Sequence, residues 1–426
     1  MILESIRLVN YACFKDITVE FKSRFSVIAG INGSGKTSLL KGVGEYFSFN
    51  GVTAPELENA RIEMQPHNGN YRFEPQYPVS IDVAIKWKAE KDSFHTIFTR
   101  VSGVEPQSTV SGDKVTSMLA GTTYEFETFP LIAYYDASRT WQGGGWESVE
   151  NIAQEKTSRK DAYRACLTAS VAVNELKNWI VAKTLERLQT FAETGYAPRW
   201  DSDFDDELSL VNGAISLAVD GVRGLRYDVR QRSILVEWHR QDADSPKTSL
   251  FDNLSDGERM IVALVADIAR RAVILNPQLG KEVLKQTPGI VLIDELDLHL
   301  HPQWQRRLPN ALKEAFPAMQ FIVTTHSPQV LSELLPDEII ILQDNAARQP
   351  EASYGMTSDQ VLEVIMDTAP RPLKIEETLS SLFLSIERGS LEESRKQLDE
   401  LRVLAPGIPE IASAGALIKR KEAIGR

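Results

Sequence analysis

A chain of 426 residues can bury a large core and divide into two or three structural modules. Its 42% hydrophobic and 25% charged residues are ordinary for a globular protein, and a net charge of −12 excludes nucleic-acid binding by bulk surface charge, though not by a local basic patch. The two cysteines, Cys13 and Cys166, share no paired spacing, which excludes a disulfide framework or thiolate zinc site and fits a reducing cytoplasm.

The opening "MILESIRLVN" has no basic segment leading into an apolar run, and no stretch reaches the ~18 apolar residues of a membrane helix. A cytoplasmic protein without membrane contact is therefore expected. "SIRLVNYACFKDITVEF" alternates apolar and polar residues and predicts strands. "RFSVIAG" predicts a buried strand ending at Gly30, and "KTSLLKGVGEYF" a helix packed through Leu39, Val43 and Phe47.

Between that strand and helix lies "GINGSGKT", Gly30–Thr37, a match to G-x-x-x-x-G-K-[ST]. Such a loop curls backbone N–H groups around phosphates at a helix N-terminus. The nucleotide-binding set is Gly30, Asn32, Gly33, Ser34, Gly35, Lys36, Thr37 and Ser38, with Lys36 on the β and γ phosphates and Thr37 on Mg²⁺.

Residues 79–101 read as an antiparallel pair and "FPLIAYYD" as a core strand. From about 145 to 220 the texture is helical, with Val173, Leu176, Ile180, Leu185 and Leu188 on one stripe. Lys156, Arg159, Lys160 and Arg164 form a basic run there, ordinarily a solvated helix face and alternatively a DNA contact. "GLRYDVRQRSILVEW" returns to strand, turn, strand.

"NLSDGERM", residues 253–260, reads as a helix N-terminus with Ser255 as cap and Gly257 admitting close approach, an end that suits an anion. "GIVLIDE" is a hydrophobic strand delivering Asp294, to hold Mg²⁺ through water, and Glu295, to polarise the attacking water. In the following "LDLHLHP", the H-x-H pair of His299 and His301 falls where the chain is leaving a strand and does not read as a metal pair, with His301-Pro302 setting the turn into the next helix. "QFIVTTHS" is a further buried strand. Beyond residue 354 the chain is helical: Leu379, Leu382, Phe383 and Ile386 share a stripe that stops at Gly389, and Ser390 opens another helix with Glu393 in capping-box position.

"LSDGER" resembles the signature motif of ABC-type ATPases, in the variant of the RecF and SMC relatives, and its order after "GINGSGKTSLL" and before "IDELDLHLHP" is the same. "TTHSP", residues 324–328, falls where that family carries its switch histidine. The resemblance implies an α/β fold: an ABC-ATPase-type nucleotide-binding domain, with a mixed sheet, flanking helices and an antiparallel β-subdomain. To this are added a helical insert and a helical C-terminal tail. The implied division is 1–140, ATPase N-terminal half; 141–225, helical insert; 226–352, ATPase C-terminal half; and 353–426, a helical region for partner docking.

Implied too are ATP and Mg²⁺ as cofactors, His326 on the γ-phosphate, and catalysis by Glu295, His326 and Lys36. The family forms a head-to-tail homodimer, or a higher oligomer, in which Ser255, Asp256, Gly257 and Glu258 of one subunit clamp ATP held by the other. Asp297 through His301 form the D-loop at that interface. Gln65 is the first choice for a further Mg²⁺ ligand and Gln76 the second.

Sustained heptads are absent, which separates the chain from long coiled-coil SMC relatives. About 100 residues follow His326, without the acidic triad of a TOPRIM nuclease or an HNH-like histidine cluster. The tail from "YGMTSDQVLEVIMDTAPRP" onward, and "LIAYYDASRTW", resemble the ATPases of the Septu and retron anti-phage systems. That resemblance implies a regulatory ATPase controlling a separate nuclease such as an HNH protein, with DNA or a phage component as further contact. A RecF-like DNA-repair ATPase is the alternative, and a slowly hydrolysing nucleotide-bound scaffold the third.

Overall fold

The computed structural model describes residues 1–47, 60–67, 70–86, 93–101, 107–111, 128–139, 158–167, 172–194, 205–239 and 247–424. Strands β1 (Ile2–Tyr11) and β2 (Phe14–Glu20) form an antiparallel pair whose inward Ile6, Leu8, Ile17 and Val19 are buried, as the alternation predicts. β3 (Phe25–Ala29) is buried at every position and leads through the glycine-rich loop into helix α1 (Lys36–Phe47). β4 (Ile62–His67) and β5 (Asn70–Pro75) make a separate hairpin. β6 (Val79–Lys86), β7 (Ser93–Arg100) and β8 (Gln107–Ser111) extend the first pair into a sheet of order β2-β1-β6-β7-β8.

The remaining strands build the second large sheet and a small third one. β9 is Leu131–Tyr135. β10 (Val222–Asp228), β11 (Ser233–Trp238) and β12 (Lys247–Leu250) form the antiparallel third sheet. β13 (Gly289–Ile293), β14 (Met319–Thr324), β15 (Ile339–Gln343) and β16 (Ala346–Arg348) join β3 and β9 in the order β16-β15-β3-β14-β13-β9. Every pairing in this sheet is parallel except the terminal β15–β16 turn. β3, β9, β13 and β14 are buried throughout, as expected of a parallel sheet covered on both faces.

Helix α1 lies between the two large sheets. Its Leu39, Leu40, Val43 and Phe47 share one core with Leu3, Ile6 and Ile81 of the antiparallel sheet and Ile28, Ile132, Leu292 and Ile322 of the parallel one. A polar clasp adds to the apolar contact. The buried Gln320 carboxamide accepts from Leu3 N at 2.7 Å and donates to Leu3 O at 2.9 Å, standing in for a strand partner.

The other face of the parallel sheet carries α4, named here after α2 (Ala172–Thr194) and α3 (Glu207–Ala218). α4 is Asp256–Leu275, and nearly all of its residues are buried. A helix apolar on so many sides belongs inside a core. The described part of the insert therefore supplies α2, α3 and the 3-10 turn Arg159–Tyr163. β10 starts at Val222, so the strand pairing reaches back across the expected 225/226 boundary.

The chain divides into two compact units, Met1–Met356 and Thr357–Arg426. In the second unit, helices Leu373–Arg388, Leu391–Leu404 and Pro409–Ile424 enclose Leu379, Leu382, Ile386, Leu398, Leu401 and Ile418. Gly389 ends the first of these helices in left-handed geometry (φ 81°). The expected capping box at Ser390 is not formed: its side chain makes no cap bond, and Ser394 instead donates from both N and Oγ to the Ser390 carbonyl.

Candidate functional site

The parallel sheet ends its strands on one crest. β13 and β14 stand in register Ile293↔Val323, and β14 and β3 in register Thr324↔Ile28, so the loops after β3, β13 and β14 emerge side by side. Ligand sites in parallel sheets form at this edge. Gly30–Thr37, Asp294-Glu295 and Thr325-His326 all come from it.

Lys36 begins α1 and is buried, with Nζ donating to the carbonyls of Gly30 and Ile31 at 2.9 Å each. Burial holds its pKa below the ordinary lysine value, opposed by the nearby carboxylates of Asp294, Glu295 and Asp297. Gly35 is essential to the loop's shape: at φ 97°, a Cβ there would lie 2.3 Å from the Phe14 ring and 2.6 Å from Cys13 Sγ. Gly30 and Gly33 also have positive φ, Asn32 is exposed, and Ser38 follows in the first turn of α1. Ser34 Oγ is buried in the loop without a hydrogen-bond partner.

Thr37 Oγ1 donates to Asp294 Oδ2 at 2.9 Å, and Thr324 Oγ1 donates to Asp294 Oδ1 at 2.5 Å. A hydroxyl facing a carboxylate offers hard oxygen donors, the set Mg²⁺ takes. Together with the orphaned Ser34 hydroxyl and the N–H-lined loop, these residues fit a magnesium nucleotide.

Glu295 follows in left-handed backbone geometry (φ 51°), and its carboxylate makes no hydrogen bond among the described residues. Its amide donates to Thr324 Oγ1 at 2.7 Å. Burial, then the charge of Lys36, lowers the His326 pKa, with Asp297, Glu295 and Asp294 opposing, so the imidazole is neutral near pH 7. Asp297 accepts from Thr325 Oγ1 at 2.5 Å and from His326 N at 3.2 Å, holding the histidine loop within its own subunit.

His301 caps the helix Pro302–Ala315, its Nδ1 accepting from Gln303 N. Ser255 caps α4 in a full capping box: its Oγ accepts from Glu258 N, and Glu258 Oε2 accepts from Ser255 N at 2.9 Å. Asp256 pairs with Arg259. A Cβ on Gly257 would lie 2.4 Å from the His299 carbonyl. The glycine expected to admit a ligand therefore also admits the D-loop backbone. Ser255, Asp256, Gly257, His299, His301 and Trp304 line one open pocket.

Gln65 is a correction. It sits on β4 opposite Arg72, on the polar face of a hairpin whose other face exposes Ile62, Met64, Tyr71 and Phe73. Its amide donates to Glu63, and no described contact joins it to Thr37 or Asp294. β4 pairs with β5 and not with the parallel sheet. Gln76 donates to the Glu74 carbonyl. The basic run is also broken up. Lys156 lies outside the described residues, Arg159 donates to Leu275 O and stacks on Phe129, and Arg164 pairs with Asp161.

Two residues that matter to the site were not singled out from the sequence. Arg139, buried, follows β9 and donates from Nη1 to the Asp294 carbonyl and from Nη2 to the Glu295 carbonyl at 2.8 Å. Burial lowers its pKa against the pull of Asp294, Asp136, Glu295 and Asp297. Asp267, within α4, accepts from Arg270, Arg271 and Tyr135 OH. Burial works to raise its pKa, but Arg271 and Arg270 outweigh it and hold the carboxyl at about 2. "ARR" in an otherwise apolar helix was the available signal.

Residues 1–116 match the family described as "AAA ATPase domain", and residues 202–332 the family described as "AAA domain, putative AbiEii toxin, Type IV TA system". Over 450 aligned residues the chain is 25% identical to "Retron Vc95 probable ATPase" of Vibrio cholerae serotype O1 biovar El Tor, covering 92% of this chain and 85% of that protein. It is 22% identical to "Septu protein PtuA" of Bacillus thuringiensis, covering 94% and 90%. It is 43% identical to "Retron Ec83 probable ATPase" of Escherichia coli over 149 residues, 34% of this chain and 27% of that protein. Among solved structures, an SMC head bound to the C-winged helix domain of ScpA aligns with TM-score 0.48 at 15% identity, over 82% of this chain and 97% of that one.

Proposed function

From a chain that resembles the ABC-type AAA ATPases, and PtuA and the retron ATPases along most of its length, we propose an ATP-binding and ATP-hydrolysing subunit of an anti-phage defence complex. The observation that carries the reading is the meeting of Lys36, Thr37, Asp294, Glu295 and His326 on one sheet edge. Bound Mg²⁺ would neutralise charge on the β and γ phosphates, held by Thr37 directly and by Asp294 through water.

The chain's own groups do the rest. The glycine-rich loop and the N-terminus of α1 orient the phosphates, and Lys36 exchanges its loop carbonyls for phosphate oxygens. Glu295, its carboxylate free of other bonds, orients the attacking water and accepts its proton. Neutral His326 donates its ring N–H to a γ-phosphate oxygen, its loop fixed by Asp297.

In this reading two subunits face head to tail, and Ser255, Asp256, Gly257 and Glu258 of one complete the site of the other, with Asp297–His301 between them. The capped, positively polarised end of α4 supports it, because such an end attracts the γ-phosphate. The chain controls a separately encoded nuclease, for which the tail unit Thr357–Arg426 is the docking element. It carries no nuclease site of its own, and turnover is slow.

Steady-state ATPase assays with sedimentation test the core of this. Wild type should hydrolyse Mg-ATP, while Glu295→Gln should bind ATP, stop turning over and accumulate as a dimer or larger assembly. A Glu295→Gln chain with unchanged turnover and mass would remove the hydrolysis reading. Purification from the native host should bring down a nuclease, whereas DNA cleavage by the chain alone would refute the division of labour.

A further inference from the structure

We infer that Arg139 is a positioning residue for hydrolysis, clasping the turn that carries Asp294 and Glu295. This inference rests on the ATPase reading above and deepens it. Arg139 is only 5% exposed, yet its described acceptors are backbone carbonyls: Asp136, Asp294 and Glu295. A guanidinium buried against carbonyls rather than a carboxylate is a costly arrangement unless something depends on it.

What depends on it is the shape of the turn. Glu295 is not glycine, yet it adopts φ 51°, a conformation that L residues disfavour and that persists only when neighbours over-determine it. Thr324 Oγ1 holds the Glu295 amide, the Thr324 carbonyl holds the Leu296 amide, and Arg139 holds the carbonyls on both sides of the Glu295 φ/ψ pair. With one face of the turn fixed by β14 and the other by Arg139, the Glu295 side chain is aimed without being bonded itself.

The support under Arg139 is rigid. Asp294 N donates to Tyr135 O, Tyr134 N donates to Cys166 O, and Tyr135 OH donates to Asp267 at 2.8 Å inside α4. The strand β9 that leads to Arg139 is thus bonded both to the turn Arg139 holds, through Tyr135 O, and to α4, through Tyr135 OH. A supporting residue needs this kind of anchoring to place a catalytic group closely.

The experiment uses the full-length chain as wild type, Arg139→Ala, Arg139→Lys, Glu295→Gln and the Arg139→Ala/Glu295→Gln double variant. Two readouts are taken: ATP turnover with its KM, and amide hydrogen exchange over residues 293–300 without nucleotide. Arg139→Ala should lower kcat about 100-fold, the loss that small misplacement of a catalytic group brings, with KM within about threefold. Arg139→Lys, which keeps the charge but loses the planar fork that reaches both carbonyls at once, should fall between. The double variant should be no slower than Glu295→Gln. Exchange across the turn should rise roughly tenfold in Arg139→Ala.

A kcat within about threefold of wild type would overturn the inference, as would a loss confined to KM or one that multiplies fully onto Glu295→Gln. Should Arg139→Ala not fold, Arg139→Lys carries the same comparison. Should wild type itself not turn over ATP, the ATPase reading falls. The exchange data then decide separately, since unchanged exchange at 293–300 sinks the clasp.

Discussion

Thr37 and Asp294 are 257 positions apart in the chain, and a 2.9 Å hydrogen bond joins their side chains. The bond links the loop expected to hold phosphates to the strand expected to hold Mg²⁺. Asp294→Asn keeps the shape but removes the negative charge of that pair and one of its two acceptor oxygens. Nucleotide affinity with Mg²⁺ should drop about 10–100-fold, while affinity in EDTA should change little. Isothermal titration in the two buffers checks this, and equal losses in both would count against a metal role.

Gly257 separates two functions that share the signature segment. Its missing Cβ leaves room for the His299 carbonyl, which would otherwise sit at 2.4 Å. Gly257→Ala must push α4 and the D-loop apart, at a cost of about 1–3 kcal/mol for overpacking. The glycine-rich loop does not touch this contact. ATP binding to the isolated subunit should survive while ATP-driven assembly and turnover are lost, as sedimentation and phosphate-release assays would report.

Asp267 gives a stability prediction with a definite pH window. Its folded pKa of about 2 lies below the ordinary aspartate value. An acid depressed by folding contributes stability that is complete above the unfolded pKa, near 4, and is lost as pH falls through about 2. Asp267→Asn leaves Arg271 buried without its carboxylate and Arg270 with only Glu175, at 3.5 Å, and should cost about 3–5 kcal/mol at pH 7. Denaturant melts of wild type and variant should therefore converge as pH drops from about 4 toward 2. A constant gap across that range would refute the assignment.

The two cysteines should behave oppositely toward alkylation. Cys166 is buried, and burial pushes its thiol up to about 12, so it is inert at pH 8. Cys13 is exposed and lines a cavity with Asn32, Gly33 and Ser34. One equivalent of maleimide should add to the native chain, at Cys13, and ATP should slow that addition. Mass spectrometry of the labelled peptides distinguishes the sites.

Much of this site is legible in the sequence because its motifs are contiguous. Gly30–Thr37 and Ile290–Glu295 each announce a strand followed by a chemical turn, and the strand pairing then follows from burial on both faces. Arg139 is not legible, because its partners lie 155 and 156 positions away and depend on β9 lying beside β13. Gln65 was chosen on residue type alone, and its strand pairs into the β4–β5 hairpin, where its amide donates to Glu63. Ser390 and Glu393 had capping-box spacing, yet the Ser390 side chain makes no cap bond and its carbonyl takes both Ser394 donors. The capping box that does form at the signature helix is Ser255 with Glu258.

The order β15-β3-β14 also bears on biosynthesis. β3, which launches the nucleotide loop, has as its only sheet neighbours strands spanning residues 319–324 and 339–343, and Leu3 waits for Gln320. On the ribosome β1 and β2 can pair with one another at once, but β3 has no sheet partner until the last third of the chain emerges, a pairing of high contact order that forms late. A translation product that stops before β14 leaves β3 unpaired. Such a product lacks the β3–β14 edge that sets the Gly30–Thr37 loop beside Thr324, so the crest is completed only when the distant end of the first unit is in place.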